Sequence, residues 1–510
     1  MKYLLTQFLI TITACGLATA APNILLIMAD DMGYSDIGCY GGEVQTPNID
    51  SIAERGARFT NFYNNAKCGP SRASLHTGRY PHLAMKKGTT FAEVLKGANY
   101  RTIMTGKWHQ RGITTDFGFD RYLGLADGCC NFWNPGIDAK TGEPKPGRKK
   151  QNVQSNRSRK WGIEGQVYEN YVPTDPNFYT TDAFTNYAVE RLEEYKDEDK
   201  PFLLYLAYTA PHFPLHAWPE DIAKYKDTYL EGWDVIRERR FKKIKQLGLI
   251  PADTPPTARN PRVPAWNSLS PAQQREEAHK MAVYAAMIDR MDQGIGRVFD
   301  KLKELNKFDD TLIIFLSDNG ASSEGVDYDV TIPAGPVEGY RAMGPGWSHV
   351  SNLPYREYKA TNHQGGTKTP CIVKWPGVTE KQTLISQTCH VMDFLPTFMD
   401  ITQAPYPESV RQITPQKPQG MSLVPYLRDS HTPSTPRTLF WNFSAARAAM
   451  HEGWKLVRAN KDGAEWELYH IAADPTEYHD LAKEHPEKIA QLSKMWEQWN
   501  KNPSLSIPTH

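Results

Sequence analysis

The chain has 510 residues, of which 40% are hydrophobic and 23% are charged, and its formal net charge is +1. This length allows about three average domains, or one large α/β domain with a smaller one. The near-neutral charge gives no indication of nucleic-acid binding, so we expect no nucleic-acid partner.

The first twenty residues are typical of an export signal. Lys2 is followed by the apolar run 4–12 and then by Ala18-Thr19-Ala20, a small-x-small cleavage pattern. The run is too short to span a bilayer, and no other stretch predicts an integral membrane segment. We therefore expect residues 1–20 to be a signal peptide and the protein to be exported, either periplasmic or secreted. An alternative is a lipoprotein acylated at Cys15, which follows Ile12-Thr13-Ala14.

Export permits disulfide bonds, but the cysteine spacing does not define any pairing. Apart from Cys15 and Cys68, the cysteines are Cys39, Cys129, Cys130, Cys371 and Cys389. Their number is odd and two of them are adjacent, so the pairing stays open. No spacing of cysteines and histidines indicates a structural zinc site.

Continuous apolar runs that end in polar clusters predict strands buried on both faces. Residues 23–28 lead to Asp30-Asp31, and residues 312–316 lead to Asp318-Asn319. Two further runs, 100–104 and 202–207, lead respectively to Gly106-Lys107-Trp108-His109 and to Pro211-His212.

Helical patterns lie between these runs, at 47–55, 181–195 and 279–305. The first has Thr46 as the expected N-cap, Pro47 at the first helical position and Gly56 as terminator. Strands that alternate with helices predict an α/β fold with a large, mixed, mainly parallel sheet sandwiched by helices. Ligands bind such sheets beyond the carboxyl ends of the strands, where the polar clusters fall.

The C-terminal part has a different pattern. Residues 403–436 are rich in proline and polar residues, which indicates a connecting segment. Beyond this segment we expect a helix at 486–499 and short strands at 439–443, 448–450, 454–457 and 466–469. We therefore expect a catalytic α/β domain over 22–402, a connection over 403–436 and a small α+β subdomain over 437–510. Two insertions with weak periodicity, about 128–175 and about 213–275, are expected at the rim of the site.

Two acidic pairs predict a metal site. Adjacent side chains of a strand point to opposite faces, so Asp30 and Asp31 can share a ligand only where the strand ends and the backbone turns. Asp318 and Asn319 repeat this arrangement. Three carboxylates and an amide oxygen suit Ca²⁺, with Mg²⁺ second, and do not suit zinc. The alternative for either pair alone is a cap or a turn.

The stretch Cys68-Gly69-Pro70-Ser71-Arg72, followed by Ala73-Ser74-Leu75-His76-Thr77-Gly78-Arg79, resembles the signature of the type I sulfatases, members of the alkaline phosphatase superfamily. In that family a maturation enzyme converts the cysteine to formylglycine, whose hydrate is the nucleophile. A geminal diol has one oxygen that attacks sulfur and a second that collapses and expels sulfate, a route that a thiol lacks.

The resemblance covers most of residues 22–500 and implies a role for each matching residue. Formylglycine at Cys68 would complete a calcium shell with Asp30, Asp31, Asp318 and Asn319. Arg72 would brace the hydrated aldehyde, Lys107 would bind sulfate, and His109 would take the proton from the second hydroxyl. His212 would contact the leaving-group oxygen, and Lys359, which precedes Gln364-Gly365-Gly366, would share that role.

The charges of this set suit sulfate transfer without any analogy. A sulfate ester carries about one negative charge, and more charge moves onto the leaving oxygen as the S–O bond breaks. The charge on the sulfate oxygens would be stabilised by two lysines, an arginine and a divalent cation. The charge that develops on the leaving oxygen would be stabilised by a protonated histidine beside a lysine.

The sequence departs from the family pattern at a few positions beside this core. Gln364 replaces a glutamate, Lys368 stands where arginine is common, and Gln110-Arg111 follows His109 where leucine-glycine is frequent. These differences bear on the subfamily and not on the reaction. Three further histidines, His76, His216 and His363, are expected to be packing residues.

Two basic clusters remain. The first comprises Lys145, Arg148, Lys149, Lys150, Arg157, Arg159 and Lys160, with Trp133 and Trp161 near its ends. The favoured interpretation is a solvated loop, and the alternative is a rim that attracts a polyanionic glycan, with the tryptophans stacking on sugars. The second, Arg237 to Lys245, is expected to be an exposed helix face.

The sequence therefore predicts an exported, calcium-dependent sulfatase. It would remove sulfate from a sulfated carbohydrate through formylglycine at position 68 and a sulfoenzyme intermediate. Two alternatives stay open: a phosphonate or phosphodiester hydrolase on the same fold, and a non-catalytic calcium-dependent glycan binder.

Overall fold

The structure is a computed structural model. It describes residues 21–82, 84–136, 159–169, 171–379 and 381–502. The expected signal peptide and the basic residues from Lys145 to Arg157 lie outside the described residues.

The described chain alternates strands and helices up to residue 402 and then changes to an antiparallel pattern. The strands are β1 Asn23–Ala29, β2 Ala57–Phe59, β3 Phe62–Tyr63, β4 Arg101–Gly106, β5 Arg121–Leu125, β6 Lys160–Ile163, β7 Gln166–Glu169, β8 Phe202–Ala207, β9 Thr311–Ser317, β10 Cys371–Lys374, β11 Thr383–Ile385, β12 Cys389–His390, β13 Leu439–Phe443, β14 Ala446–His451, β15 Trp454–Arg458 and β16 Trp466–His470. The helices are α1 Pro47–Glu54, α2 Cys68–Thr77, α3 Ala84–Lys87, α4 Phe91–Gly97, α5 Thr180–Glu194, α6 Pro219–Ala223, α7 Gly232–Gln246, α8 Pro271–Glu304, α9 Gly344–Ser351, α10 Gln364–Thr367, α11 Phe394–Thr402, α12 Val424–Arg428 and α13 Pro486–Lys501.

Ten strands form one sheet in the order β11-β2-β10-β9-β1-β8-β4-β5-β6-β7. The central strands β9, β1, β8, β4 and β5 are parallel neighbours. Strand β10 runs antiparallel to β9 and β2, and β6 runs antiparallel to β5 and β7. The predicted mixed, mainly parallel sheet is therefore confirmed.

Helices cover both faces of this sheet. Along β1, Leu25 and Ile27 belong to one buried layer, while Ile24, Leu26 and Met28 belong to the other. This alternation follows from the two-residue period of a strand. Helices α1, α5, α7 and α8 pack on the first layer, and α4, α11 and α12 on the second.

Two helices differ in detail from the sequence-based expectation. Helix α8 begins at Pro271 and not at 279, because Ser270 and Gln273 form a capping box ahead of a polar first two turns. Before α1, the Thr46 hydroxyl accepts from the Gly38 amide and caps nothing in the helix. A Cβ at Gly56 would lie 2.3 Å from the Val373 carbonyl oxygen, so glycine is needed there for close approach of β10.

The C-terminal unit is a four-stranded antiparallel sheet, β13-β14-β15-β16, covered by α13. Its core includes Trp441, Leu456 and Trp496, and it also contacts Tyr63 and Tyr80 of the larger unit. The predicted small subdomain of short strands and a helix is confirmed. The expected connection at 403–436 contains α12.

The first insertion contributes to the core as well as to the rim. It supplies β6 and β7, which extend the sheet. Trp161 in β6 is 1% exposed and stacks between Tyr171 and Phe184, at centroid distances of 5.4 and 5.6 Å. A stacking role for Trp161 on sugars is therefore wrong. Arg159 beside it is also buried.

The second insertion contains α6 and α7. Trp233 of α7 packs edge-on against Trp266 and Trp347, which anchors the insertion in the main core. Arg240 is buried and forms ion pairs of 2.7 Å with both Asp36 and Glu43. The expectation that Arg237 to Lys245 is a plain exposed face is wrong at Arg240.

Two open points concern cysteines and membranes. Every cysteine of the described ranges is a free thiol, so none of Cys39, Cys129, Cys130, Cys371 and Cys389 forms a disulfide in this structure. Within the same ranges, no helix has the length and apolarity that crossing a bilayer requires.

Candidate active site

The two acidic pairs lie side by side where β1 and β9 end. Ala29 and Ser317 are register partners, so the residues that follow each strand leave the sheet together. Asp31 has a φ of 65°, which turns the backbone directly after the strand. Its amide donates to Asp318 Oδ1 at 3.2 Å. The strand end thus lets two consecutive aspartates face one site.

The donor set at this edge fits a hard cation. One ligand atom each from Asp30, Cys68 and Asp318 lies within 4.8 Å of the others, and all three residues are buried. Asp30 Oδ1 and Asn319 Oδ1 are buried oxygens that find no hydrogen-bond partner in the described part of the chain. Burial raises the pKa of Asp30 well above its ordinary value; Lys107 opposes this shift, whereas Asp318 and Asp31 add to it. Buried oxygens crowded in this way are the ligands that Ca²⁺ or Mg²⁺ takes.

Cys68 is the first residue of α2, and Arg72 lies one turn further along the same helix. The fully buried Arg72 donates from Nε to Asp318 Oδ2 at 2.9 Å and from Nη1 to the Lys107 carbonyl at 2.8 Å. Arg72 therefore joins α2 to the ends of β9 and β4. Burial raises the pKa of the Cys68 thiol, against the charges of Lys107 and Lys359.

Two buried lysines neutralise the aspartate pair. Lys107 Nζ lies 2.5 Å from Asp30 Oδ2, and Lys359 Nζ lies 2.5 Å from Asp31 Oδ2. Burial alone would lower the pKa of each lysine, but the adjacent carboxylate outweighs it and raises the pKa of both. Both side chains are therefore charged ammonium groups at neutral pH.

The two candidate catalytic histidines lie beside these lysines. His212 Nε2 is 3.2 Å from Lys359 Nζ, and its Nδ1 is 2.6 Å from the Phe213 carbonyl. His109 has a φ of 53° after the end of β4, and a Cβ at Gly69 would lie 3.8 Å from its Cε1, so its ring lies next to the start of α2.

The charge state of His212 differs from the expectation. Burial, followed by the charge of Lys359, lowers its pKa well below the ordinary value. A neutral ring with its proton on Nδ1 donates to Phe213 and accepts from Lys359 through Nε2. The neutral ring would thus receive the hydrogen bond at its Nε2 from the Lys359 ammonium. His109 is neutral for the same reasons, burial and then Lys107.

All ten predicted site residues lie at the carboxyl edge of the sheet, and their individual roles remain predictions. Three neighbours of the site were not predicted as part of it. Lys67 and Glu324 form an ion pair of 2.9 Å at the edge of the site, and only the adjacency of Lys67 to Cys68 could have indicated it. Gln110, a departure from the family pattern, donates to the Gly69 carbonyl at 2.9 Å and supports the start of α2.

The remaining candidate histidines are packing residues, as expected. His76 stacks on Phe91 with ring centroids 4.9 Å apart. His216 bonds to the Gly339 carbonyl, and His363 lies 3.2 Å from Glu467 of the C-terminal sheet.

Comparisons with known proteins give a single answer. The Sulfatase family model matches residues 22–404, and a model of the C-terminal region of N-sulphoglucosamine sulphohydrolase matches residues 358–502. The chain is 31% identical to an uncharacterized sulfatase of Schizosaccharomyces pombe, over 93% of this chain and 92% of that protein. It is 33% identical to an arylsulfatase of Klebsiella aerogenes, over 74% of this chain and 86% of that protein.

A solved structure extends this similarity to the fold. The crystal structure of Ps i-CgsB in complex with k-i-k-neocarrahexaose matches with a TM-score of 0.64 at 26% identity, over 94% of this chain and 92% of that one. The family model spans both acidic pairs, the cysteine motif and all four predicted lysine and histidine positions. The chain therefore belongs to the sulfatase family, within the alkaline phosphatase superfamily, and is a sulfuric ester hydrolase.

Proposed function

We propose that this sulfatase removes sulfate from a sulfated carbohydrate and that residue 68 acts after conversion to formylglycine. The observation that carries the proposal is the position of Cys68, buried within ligand distance of Asp30 and Asp318 and one helical turn from Arg72. As a thiol this group is a poor nucleophile, because its raised pKa keeps it protonated at neutral pH.

The substrate class is supported by two similarities. The C-terminal 145 residues of the match, 358–502, resemble the corresponding region of a sulphohydrolase that is named for N-sulphoglucosamine. The related crystal structure holds k-i-k-neocarrahexaose, an oligosaccharide. Both similarities favour a sugar over a simple aryl ester as the natural leaving group.

Sulfate transfer then needs two bond exchanges. One hydroxyl of the hydrated aldehyde would pass its proton to a carboxylate beside it, Asp30 or Asp318, and form the new bond to sulfur. The S–O bond to the sugar would break, and the sugar oxygen would leave with a proton from Lys359. The second hydroxyl next loses its proton to His109, the carbonyl re-forms, and the C–O bond to sulfate breaks. Water then hydrates the aldehyde, so the net reaction is hydrolysis of the ester.

Lys359 is the proton donor for the leaving oxygen in this proposal. Its ammonium is charged, while His212 is neutral and accepts from it at 3.2 Å. His212 is therefore a positioning residue that fixes the direction of the Lys359 ammonium. A donor that stabilises developing charge in such a site contributes about 10²–10³ in rate.

The remaining charged residues act on the sulfate and the nucleophile. Lys107 would contact a sulfate oxygen and Arg72 would brace residue 68. Asp30, Asp31, Asp318, Asn319 and the residue-68 side chain would hold Ca²⁺, with Mg²⁺ second, which supplies positive charge beside the sulfate oxygens.

The test is the chemical state of residue 68 in active protein. We expect the peptide that contains it to have the mass of the aldehyde, and turnover of an aryl sulfate to scale with the converted fraction across preparations made with and without a formylglycine-generating enzyme. Cys68→Ala should abolish turnover, whereas Cys371→Ala, which changes another buried free thiol, should retain it. Active protein with only cysteine at position 68 would contradict the proposal.

Substrate class is tested by rates on matched leaving groups. We expect kcat/KM on at least one sulfated mono- or oligosaccharide to exceed that on an aryl sulfate, and an aryl phosphodiester or phosphonate to be the poorer substrate. Faster turnover of the phosphodiester would make the enzyme a phosphodiester hydrolase instead. If protein with fully converted residue 68 binds sulfated sugars but does not hydrolyse them, the protein is a glycan binder and not a sulfatase of sugars.

A further inference from the structure

A second cleft lies away from the carboxyl edge, between the larger unit and the C-terminal sheet. Its volume is about 740 Å³, in the range of pockets that hold small organic ligands. The cleft is lined from the larger unit by the β2–β3 segment, the turn 248–251 after α7, Tyr355, Lys368 and residues between Leu384 and Thr388. From the C-terminal part it is lined by residues 434–437, by Met450, Glu452 and Gly453, and by residues between Ile471 and Pro475. None of the ten catalytic-edge residues is among the described residues that line it.

Lys368 lies in this cleft and is buried without an ion-pair partner among the described residues. The residue is 1% exposed, and no ion pair or hydrogen bond to its ammonium occurs within the described ranges of the chain. The ammonium lies 4.5 Å from the Tyr355 ring centroid and 5.6 Å from that of Tyr63, and both tyrosines line the cleft. Aromatic faces attract a cation but do not neutralise it.

Burial also acts on the charge of this lysine. It lowers the pKa of Lys368 to about 7, and the nearby charge of Lys455 adds to the shift, while Glu477 opposes it. Glu477 is already paired with Lys455 at 2.9 Å. An anion in the cleft would supply the partner that the protein itself does not provide.

The walls of the cleft suit a ligand with hydroxyl groups. Asn61, Ser386, Thr388 and Ser434 offer amide and hydroxyl groups, and Ile250 and Leu384 offer apolar contact. We propose that the cleft is a second binding site, which takes a small sugar-like anion with its sulfate or carboxylate group at Lys368 and its hydroxylated body along these walls. This inference does not depend on the state of residue 68.

Lys374 provides a matched control in the same chain. It is also buried, at 5% exposure, and burial lowers its pKa to about 8. Its ammonium, however, has partners, since it donates to the Phe308 carbonyl at 3.4 Å and lies 3.9 Å from Asp309. Lys374 does not line the cleft. Both lysines are therefore buried, and they differ in their polar partners and in whether they line the cleft.

The test is site-resolved acetylation of the whole wild-type protein at neutral pH, followed by peptide mass spectrometry. We expect glucuronate and glucose 6-sulfate to slow acetylation of Lys368 by about tenfold near saturation, glucose to have no effect, and Lys374 to be unaffected by all three. Inorganic sulfate serves as a fourth probe: protection by sulfate equal to that by the sugar anions would reduce the site to one for a bare anion and overturn the sugar-like ligand. Failure of Lys368 to react, or a rate unchanged by every anion, would overturn the whole proposal.

Two variants distinguish the loss of the Lys368 charge from a loss of folding. Calorimetry should show that Lys368→Met loses at least about tenfold in affinity for glucuronate, whereas Lys368→Arg retains binding. Both variants should keep kcat/KM on an aryl sulfate, because Lys368 is outside the catalytic edge. Unchanged affinity in a folded Lys368→Met protein would contradict the proposal, and the acetylation of wild-type protein decides the question if that variant does not fold.

Discussion

Charge at the catalytic edge is balanced residue against residue. Asp30 and Asp31 pair with Lys107 and Lys359, and Asp318 pairs with Arg72, all in buried positions. A divalent cation held by the same carboxylates would give this edge an excess of positive charge. A sulfate monoester, which brings about one negative charge, would then be attracted to it.

Asn319 gives the most direct test of the cation site. Its Oδ1 is buried without a hydrogen-bond partner in the described chain, and a bound cation would satisfy it. Asn319→Ala should weaken Ca²⁺ binding by about 10–100-fold, a range typical of the loss of one oriented contact at a metal site. Calorimetric titration of chelator-treated protein measures it.

The control for this titration is Asn186→Ala, which changes an exposed asparagine on α5 whose side chain accepts a hydrogen bond from Arg297. It should leave the affinity unaltered. Equal affinity in Asn319→Ala and wild type would remove Asn319 from the ligand set.

Sequence reasoning reached the residues of this edge for a physical reason. A polar cluster after a buried apolar run must lie at the end of a strand, so Asp30, Asp318 and Lys107 could be placed together before any coordinates. The neutral state of His212 could not be predicted, because it depends on Lys359, which lies 147 residues away and 3.2 Å distant. Lys368 was missed as a candidate because its burial is fixed by tertiary packing alone.

At the scale of elements, the first residue of α10, Gln364, is fixed to the C-terminal sheet by buried polar contacts. Lys455 of β15 forms an ion pair of 2.9 Å with Glu477. The side-chain oxygen of Gln364 accepts a hydrogen bond from Lys455, and the backbone amide of Gln364 donates to Glu477. A glutamate at position 364 would place a second carboxylate beside Glu477 with one lysine between them. The departure from the family pattern at Gln364 therefore keeps this buried cluster neutral.

Glu467 of β16 makes the stability of this contact dependent on pH. Burial alone would raise its pKa, but the hydrogen bonds from His363 and Tyr469 and the charge of Arg356 lower the pKa to about 2 from an ordinary 4.5. A lowered pKa means that the ionised carboxylate stabilises the fold above pH 4.5, and that this stabilisation is lost as the pH falls from there toward 2.

We therefore expect Glu467→Gln to lower the free energy of unfolding by about 1 kcal/mol at pH 7, and the difference from wild type to shrink toward zero as the pH approaches 2. Urea denaturation at several pH values measures it. The control is Glu465→Gln, which changes an exposed residue directly before β16 and should leave the free energy of unfolding at pH 7 unaltered. A difference that stays constant with pH would mean that packing, and not charge, holds Glu467 in place.

Across the whole molecule, the mixed, mainly parallel sheet and the small C-terminal antiparallel unit followed from local patterns, whereas the strand order and the packing of the insertions did not. Trp161 and Arg240 read as surface residues because their neighbours in sequence are polar. Their burial comes from long-range partners, Phe184 for the tryptophan and Asp36 for the arginine. Contacts between residues so far apart in sequence cannot be detected from the hydrophobic pattern of a window of about ten or fifteen residues.

One chain of hydrogen bonds joins the C-terminal subdomain to the catalytic edge. Trp441 Nε1 donates to the Asn64 carbonyl at 2.6 Å, and Asn64 Nδ2 donates to the carbonyl of Ser317, the residue before Asp318, at 2.9 Å. Trp496 Nε1 donates to the Trp441 carbonyl at 2.9 Å and so makes an equivalent bond wholly within the subdomain. The two tryptophans thus allow a matched comparison.

Trp441→Phe and Trp496→Phe should each lower the free energy of unfolding by about 1–3 kcal/mol, because each leaves one buried carbonyl without its indole donor. Only Trp441→Phe should also lower kcat/KM on an aryl sulfate, since it releases Asn64 and, through it, the backbone that presents Asp318. Thermal unfolding and steady-state kinetics on the same preparations measure both effects. Equal kinetic effects in the two variants would show that the subdomain supports the fold as a whole, without a specific contribution to the geometry of the catalytic edge.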